Sequence, residues 1–198
     1  MRVIAGKFRS RQLMSLKGLA LRPTSDRLRE TLFDILGDLV IGSRFIDAFA
    51  GTGAIGIEAL SRGAHEAVFI EKYAPAAALI KKNLESLEIK EGTRVLPIDA
   101  LHGLELLAKE NSSASQSLQI CFLDPPYDHA TDYDRVLSFL GSATLLAEGS
   151  LVIAEHRRKF ELPATVVNLL RVRTLHQGDA ALSFYRLRKT QPNEALVE

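Results

Sequence analysis

From Arg44 onward the chain alternates short apolar runs with helical repeats, and that alternation leaves few folds open. The runs Arg44-Phe45-Ile46-Asp47, Ala67-Val68-Phe69-Ile70, Arg94-Val95-Leu96-Pro97-Ile98, Leu118-Gln119-Ile120-Cys121-Phe122-Leu123 and Leu151-Val152-Ile153-Ala154 read as strands. Between them the spacing predicts helices over 54–62, 75–88, 101–109 and 132–140, with Pro75 suited to a first helical position. Repeated strand-helix units require a parallel sheet, because each helix carries the chain back to start the next strand in the same direction. Two more strand-like runs, 166–174 and 180–188, follow each other with no helix between them and predict an antiparallel pair closing one sheet edge. The expectation is an α/β fold with a mostly parallel seven-stranded sheet.

At 198 residues, 46% of them hydrophobic, one core of this kind can be filled, and one domain is expected. No apolar run approaches the roughly 20 residues that span a bilayer, and the N-terminus lacks a signal-peptide pattern. A cytoplasmic protein without a membrane partner is expected. The single cysteine, Cys121, excludes an internal disulfide, and His65, His102, His129, His156 and His176 fall in no metal-ligand spacing, so no metal is expected. Cys121 reads as a buried strand residue.

Charge is distributed unevenly. The first 29 residues hold Arg2, Lys7, Arg9, Arg11, Lys17, Arg22, Arg27 and Arg29 against Asp26, a local +7 in a chain of net +1. Such a segment can grip a polyanion by displacing its counterions. Val3-Ile4-Ala5 and Phe8-Arg9-Ser10-Arg11-Gln12-Leu13, separated by Gly6-Lys7, predict a small basic hairpin appended to the domain. After it, Thr24 or Ser25 can cap a helix with Leu28, Leu32, Ile35, Leu36 and Leu39 on one stripe, ending near Gly42. The organisation expected is a hairpin extension over 1–22, a domain over 23–189 and a tail over 190–198, with 111–117 as a surface loop.

Asp47-Ala48-Phe49-Ala50-Gly51-Thr52-Gly53-Ala54-Ile55-Gly56 places glycines at the three positions of a nucleotide-binding turn, between a strand and a helix. The turn lets backbone approach a ligand closely and aims helix N-terminal N–H groups at it. Glu71 follows 18 residues after Gly53, at the end of the next strand, where a carboxylate can accept both hydroxyls of a ribose. A nicotinamide dinucleotide and S-adenosylmethionine both fit this much. Asp47 favours the second, because a carboxylate repels a pyrophosphate but can hold the ammonium of a methionine moiety. Asp99 ends the third strand and, with the Ala100 N–H, can read an adenine edge, or it can simply cap a helix.

Asp124-Pro125-Pro126-Tyr127 ends the fourth strand, on the sheet edge where open α/β folds place their chemistry. An exocyclic base amine is a poor nucleophile because its lone pair is delocalised into the ring. The Asp124 carboxylate and the Pro125 carbonyl, held by paired prolines, can each take one N–H and leave the lone pair aimed at a methyl donor. Tyr127 offers a stacking face for the base, and His129 lies close in sequence.

With these motifs the chain resembles the RsmD-type family of 16S ribosomal RNA guanine-N2 methyltransferases. The resemblance also runs through residues 2–11, through Leu21-Arg22-Pro23-Thr24-Ser25-Asp26-Arg27-Leu28-Arg29-Glu30-Thr31-Leu32-Phe33, and through residues 178–186. Ala5 and Ser10 stand where that family's hairpin commonly has glycine. The resemblance implies a Rossmann-like class I methyltransferase with S-adenosylmethionine as cofactor. Its substrate would be one guanine of 16S rRNA within an assembled or partly assembled small subunit. Nothing in the sequence resembles a dimerisation helix, and a monomer is expected. The resemblance also implies catalytic roles for Asp124, Pro125, Pro126 and Tyr127, and cofactor contacts from Asp47, Phe49, Ala50, Gly51, Gly53, Glu71, Lys72, Asp99 and Ala100. RNA contacts would come from Arg9, Arg11, Arg22, Thr24, Arg27 and Arg29. A DNA amino-methyltransferase acting on adenine N6 or cytosine N4 is the alternative, a dinucleotide oxidoreductase and a non-catalytic RNA-binding assembly factor being further readings.

Overall fold

The structure is a computed structural model that describes residues 1–16, 25–110, 119–126 and 130–188. Five strands, β1 (Arg44–Asp47), β2 (Glu66–Ile70), β3 (Thr93–Leu96), β4 (Gln119–Leu123) and β5 (Leu151–Arg157), run parallel. β6 (Thr165–Val166), β7 (Leu169–Gln177) and β8 (Ala180–Leu187) complete the sheet in the order β3-β2-β1-β4-β5-β8-β7-β6. β8 pairs antiparallel with β5 and β7, so the expected closing pair exists, extended by the two-residue β6 as an eighth strand.

The intervening helices are α1 (Asp26–Leu36), α2 (Ala54–Ser61), α3 (Ala74–Ser86), α4 (Ala100–Glu110) and α5 (Ala130–Ser142). Strand residues alternate between two buried layers, as the pleat requires. Ile46, Val68, Ile70, Cys121, Leu123, Val152 and Ala154 face the layer that holds Leu104, Leu107, Val136, Leu137 and Leu140 of α4 and α5. Phe45, Ile120, Phe122 and Ile153 face Leu28, Leu32, Phe33 and Leu36 of α1. Ala67 and Phe69 face α2 and α3 through Ile57, Ile80 and Leu84. Cys121 is buried in β4, as its strand context predicts, and burial followed by the charge of Asp47 pushes its thiol up. Among the described residues no helix is long and apolar enough to cross a membrane.

Ser25 caps α1, its Oγ accepting from Leu28 N at 3.1 Å, an interaction worth about 1 kcal/mol. The helix stops earlier than its leucine spacing suggests. Gly37 leaves helical geometry at φ 48° and the chain continues as a 3-10 turn, Gly37–Val40. Leu39, expected on the inward stripe, is therefore 39% exposed, and Phe33 takes an inward position instead.

The expected N-terminal hairpin is present and short: an antiparallel bridge joins Arg2 to Gln12, Val3 N donates to Arg11 O at 3.0 Å and Leu13 N to Met1 O at 2.9 Å, around a 3-10 turn at Gly6–Phe8. Its outward backbone donors are tied to α2. Ile4 N and Ala5 N donate to the two carboxylate oxygens of Glu58 at 2.8 and 3.0 Å, and Phe8 N donates to Ser61 Oγ. Val3 and Leu13 are buried against α2 and α3, so the segment is packed into the core and is not a free appendage.

Candidate active site

Strand order reverses between β1 and β4: β2 and β3 lie on one side, β5 and β8 on the other. The chain leaves the sheet in opposite directions at such a point and opens a crevice at the carboxyl ends. A cleft of about 310 Å³ lies there, lined by Asp47, Phe49, Ala50, Gly51, Glu71, Lys72, Ala100, Asp124 and Pro126 of the residues singled out in the sequence. Its size falls at the lower end of the roughly 300–1,000 Å³ typical of small-molecule sites.

The glycine turn builds one wall. Ala50 N donates to Ile70 O at 3.0 Å and Gly53 N to Ala50 O at 2.7 Å, which fixes the turn over the end of β2. Gly53 adopts φ 78°, a left-handed conformation that side chains disfavour. A Cβ on Gly56 would lie 2.3 Å from Phe69 Cε1, so the third glycine is required by close packing of α2 on β2. Glu71 Oε2 accepts from Gly51 N and Oε1 from Tyr73 N, both at 2.8 Å. Each oxygen keeps a second lone pair, so the carboxylate is oriented and can still accept two hydroxyls.

Asp47 is buried at the floor, where its Oδ2 accepts from Gly56 N at 3.1 Å. Burial pushes its carboxyl up to about 7, opposed by the Gly56 hydrogen bond and assisted by the charge of Glu71. The consequence for stability has a definite sign. Between about pH 4 and 7 the unfolded chain has released a proton that the folded chain keeps, so stability falls as pH rises through that window. Asp47→Asn is therefore expected to raise the melting temperature at pH 8 and to raise it much less at pH 5. The full gain at pH 8 is on the order of 4 kcal/mol at about 1.4 kcal/mol per pH unit. Thermal melts of both proteins across pH 5–8 check this, and an equal effect at both ends would rule out a titrating Asp47.

Asp124 stands two residues beyond Phe122, which is in register with Asp47. It is half-buried beside the cleft, with Pro125 buried behind it and Pro126 exposed. Burial, then the charges of Glu155 and Asp47, push its carboxyl well above the usual range. A carboxylate with raised proton affinity is a good acceptor for a proton leaving a reacting amine.

The other sequence expectations divide. Asp99 Oδ1 accepts from Leu101 N at 3.0 Å and caps α4, while Ala100 alone of that pair reaches the cleft wall. Gly53 shapes the turn without lining the cleft. Arg27 is exposed on the first turn of α1, and Arg9 is exposed on the N-terminal segment. Arg11 donates to Ser86 O at 2.8 Å, at the end of α3 remote from the cleft. Arg29, expected on an RNA-facing surface, is fully buried and ion-paired with Asp26 and Glu58. Tyr127, His129, Arg22, Thr24, the 111–117 loop and the 190–198 tail lie outside the described residues.

Sequence reasoning missed Met1, Ser15, Leu16, Thr52 and Tyr73 on the cleft wall. Tyr73 carried a usable signal, being an aromatic two residues past the strand-end carboxylate Glu71. Met1, Ser15 and Leu16 carried none, because only the path of the N-terminal segment brings them to the cleft.

The family model described as conserved hypothetical protein 95 matches residues 1–186. Ribosomal RNA small subunit methyltransferase D of Escherichia coli (strain K12) is 32% identical, over 93% of this chain and 89% of its own length. The solved structure of the Escherichia coli yhhF protein superposes with a TM-score of 0.79 at 30% identity, covering 96% of this chain and 99% of that one. An RNA methyltransferase from Salinibacter ruber, solved with S-adenosyl-L-homocysteine, shares the fold at a TM-score of 0.59 and 16% identity, covering 87% and 97%. Match and geometry agree over nearly the whole chain, which belongs to the conserved hypothetical protein 95 family, that of the RsmD-type methyltransferases.

Proposed function

We propose that this chain is an S-adenosylmethionine-dependent methyltransferase that methylates the N2 amine of one guanine in small-subunit rRNA. The observation that carries the reading is the placement of Asp124-Pro125-Pro126 at the carboxyl end of β4, beside a cleft walled by the glycine turn and Glu71. The small-subunit rRNA substrate is supported by the name of the 32% identical relative.

The residues present fit the cofactor. Glu71 stands where ribose hydroxyls need an acceptor, the open side of Gly51 leaves backbone accessible, and Asp47 supplies negative charge at the cleft floor. Bound there, S-adenosylmethionine supplies the sulfonium methyl group. Asp124 and the Pro125 carbonyl each accept one N–H of the amine, directing its lone pair toward that methyl carbon. As the nitrogen gained its bond to carbon, the carbon–sulfur bond would break to leave S-adenosylhomocysteine, and the Asp124 carboxylate would take the proton shed by the cationic nitrogen. No covalent enzyme intermediate is needed.

Incubation with methyl-labelled S-adenosylmethionine and either naked 16S rRNA, small subunits or duplex DNA tests the reading. Label is expected in RNA as N2-methylguanosine after digestion and mass spectrometry. Label only in DNA, as N6-methyladenine or N4-methylcytosine, would replace it with the DNA reading. Binding of NAD(P)H in place of S-adenosylmethionine would make the cleft a dinucleotide site.

A further inference from the structure

We propose that the turn Arg158-Lys159-Phe160, directly after β5, is a docking surface for the RNA strand that flanks the target nucleotide. The inference rests on the rRNA reading above and adds a surface separate from the basic N-terminal segment.

Position comes from register. β5 pairs with β4 through Leu123 and Ala154 and continues to Arg157. The turn thus stands on the reactive edge of the sheet, one strand from Asp124 and roughly 10 Å away by strand spacing and rise. Two of the N-terminal basic groups are placed differently. Arg29 is buried, and Arg11 is tied to Ser86, ten residues along α3 from the cleft residue Ala76, or about 15 Å of helix.

The turn is also built. Arg158 N donates to Asp179 O at 2.8 Å and Phe160 N to Arg157 O at 2.9 Å, which locks it against the β7–β8 hairpin. The Phe160 ring packs 5.5 Å from Tyr133 and edge-on 6.5 Å from His156. Tyr133 is itself held by a 2.6 Å hydrogen bond from its hydroxyl to Glu155 O. Phe160 is nevertheless 37% exposed, so one part of the ring is fixed and another faces solvent.

Arg158 and Lys159 are exposed beside it, with the acids Glu161 and Asp179 in the same turn and hairpin. Two cations flanking an ordered, part-exposed aromatic match the chemistry of single-stranded nucleic acid: phosphates meet the cations and a base stacks on the ring. A protein partner would meet the same surface without needing the stacking face.

The test measures affinity of the full chain for 16S rRNA and for small subunits across a salt series. Arg158→Ala/Lys159→Ala is expected to raise Kd about tenfold near 0.1 M salt. The slope of log affinity against log salt should fall in magnitude by about 1.5, as two lost phosphate contacts require. Phe160→Leu, which keeps packing against Tyr133 but loses the aromatic face, is expected to raise Kd about fivefold or more. Lys81→Ala/Lys82→Ala, on the exposed face of α3, is the charge-matched control and should change Kd by less than twofold. The surface is overturned if the Arg158/Lys159 variant binds as tightly as wild type, or if the control weakens binding equally. If wild-type protein neither binds nor methylates rRNA, the rRNA reading itself fails and takes the surface with it.

Discussion

Asp124→Asn is expected to slow methyl transfer by about 10²–10³-fold while S-adenosylmethionine affinity stays within about twofold of wild type. Removing one preorganised polar contact to a transition state commonly costs this much. The amide oxygen can still accept one N–H, but it cannot take the proton that the alkylated nitrogen sheds. The substitution separates chemistry from folding, because Asn is nearly the same size and removes one of three neighbouring carboxyl groups, Asp47, Asp124 and Glu155. Melting temperature should therefore hold or rise as activity falls. Single-turnover transfer, calorimetric cofactor binding and a thermal melt are the three measurements. A variant that transfers methyl groups at the wild-type rate would remove Asp124 from the reaction, and one that no longer binds cofactor would move it into the binding wall.

The candidate site was legible in the sequence because its residues are local. The glycine turn, Glu71 and Asp124 each follow a strand by zero to a few residues, so placing the strands placed them, and the cleft collects all three. The parallel strands were legible as apolar runs because they are covered on both faces. Pattern failed where tertiary partners decide. β5 continues past Ala154 through Glu155 and His156, which look like a strand end but are buried by antiparallel pairing with Leu182 and Ala181 of β8. His156 stays there because Nε2 meets Ser183 Oγ at 2.9 Å and Nδ1 meets Arg157 O at 3.0 Å. Burial holds its pKa below the ordinary imidazole value, partly opposed by hydrogen bonds with the backbone of Arg157 and Phe160. The N-terminal hairpin was legible as two short runs around a turn, but its docking was not, since it rests on Glu58, more than fifty residues away, which accepts from Ile4 N and Ala5 N.

Arg29 is the clearest case, and Arg29→Met should lower the melting temperature without weakening RNA binding by the folded protein. A run of basic residues suggests a solvated, RNA-facing surface, yet this guanidinium is 0% exposed. It donates to Arg2 O at 2.6 Å and to Asp26 Oδ1 at 2.9 Å, and its Nε lies 3.8 Å from Glu58 Oε2. Burial works against its charge, and Asp26 and then Glu58 restore it. The side chain thereby ties the N-terminal segment, α1 and α2 together. Removing one member of a buried ion pair commonly costs 3–5 kcal/mol, because the partner stays charged in a dry site. Two features place Arg29 at the low end. Its Nε and Nη1 make no hydrogen bond, and Glu58 keeps Arg62 Nε at 2.8 Å besides its two backbone donors. A loss of about 3 kcal/mol corresponds to roughly 6–12 °C for a chain of this size. Arg27→Ala, two positions earlier and exposed, should show the opposite pattern, with an unchanged melt and weaker RNA binding if that turn of α1 faces RNA. A melt of Arg29→Met that matches wild type, together with lost RNA affinity, would return this arginine to the surface the sequence first suggested.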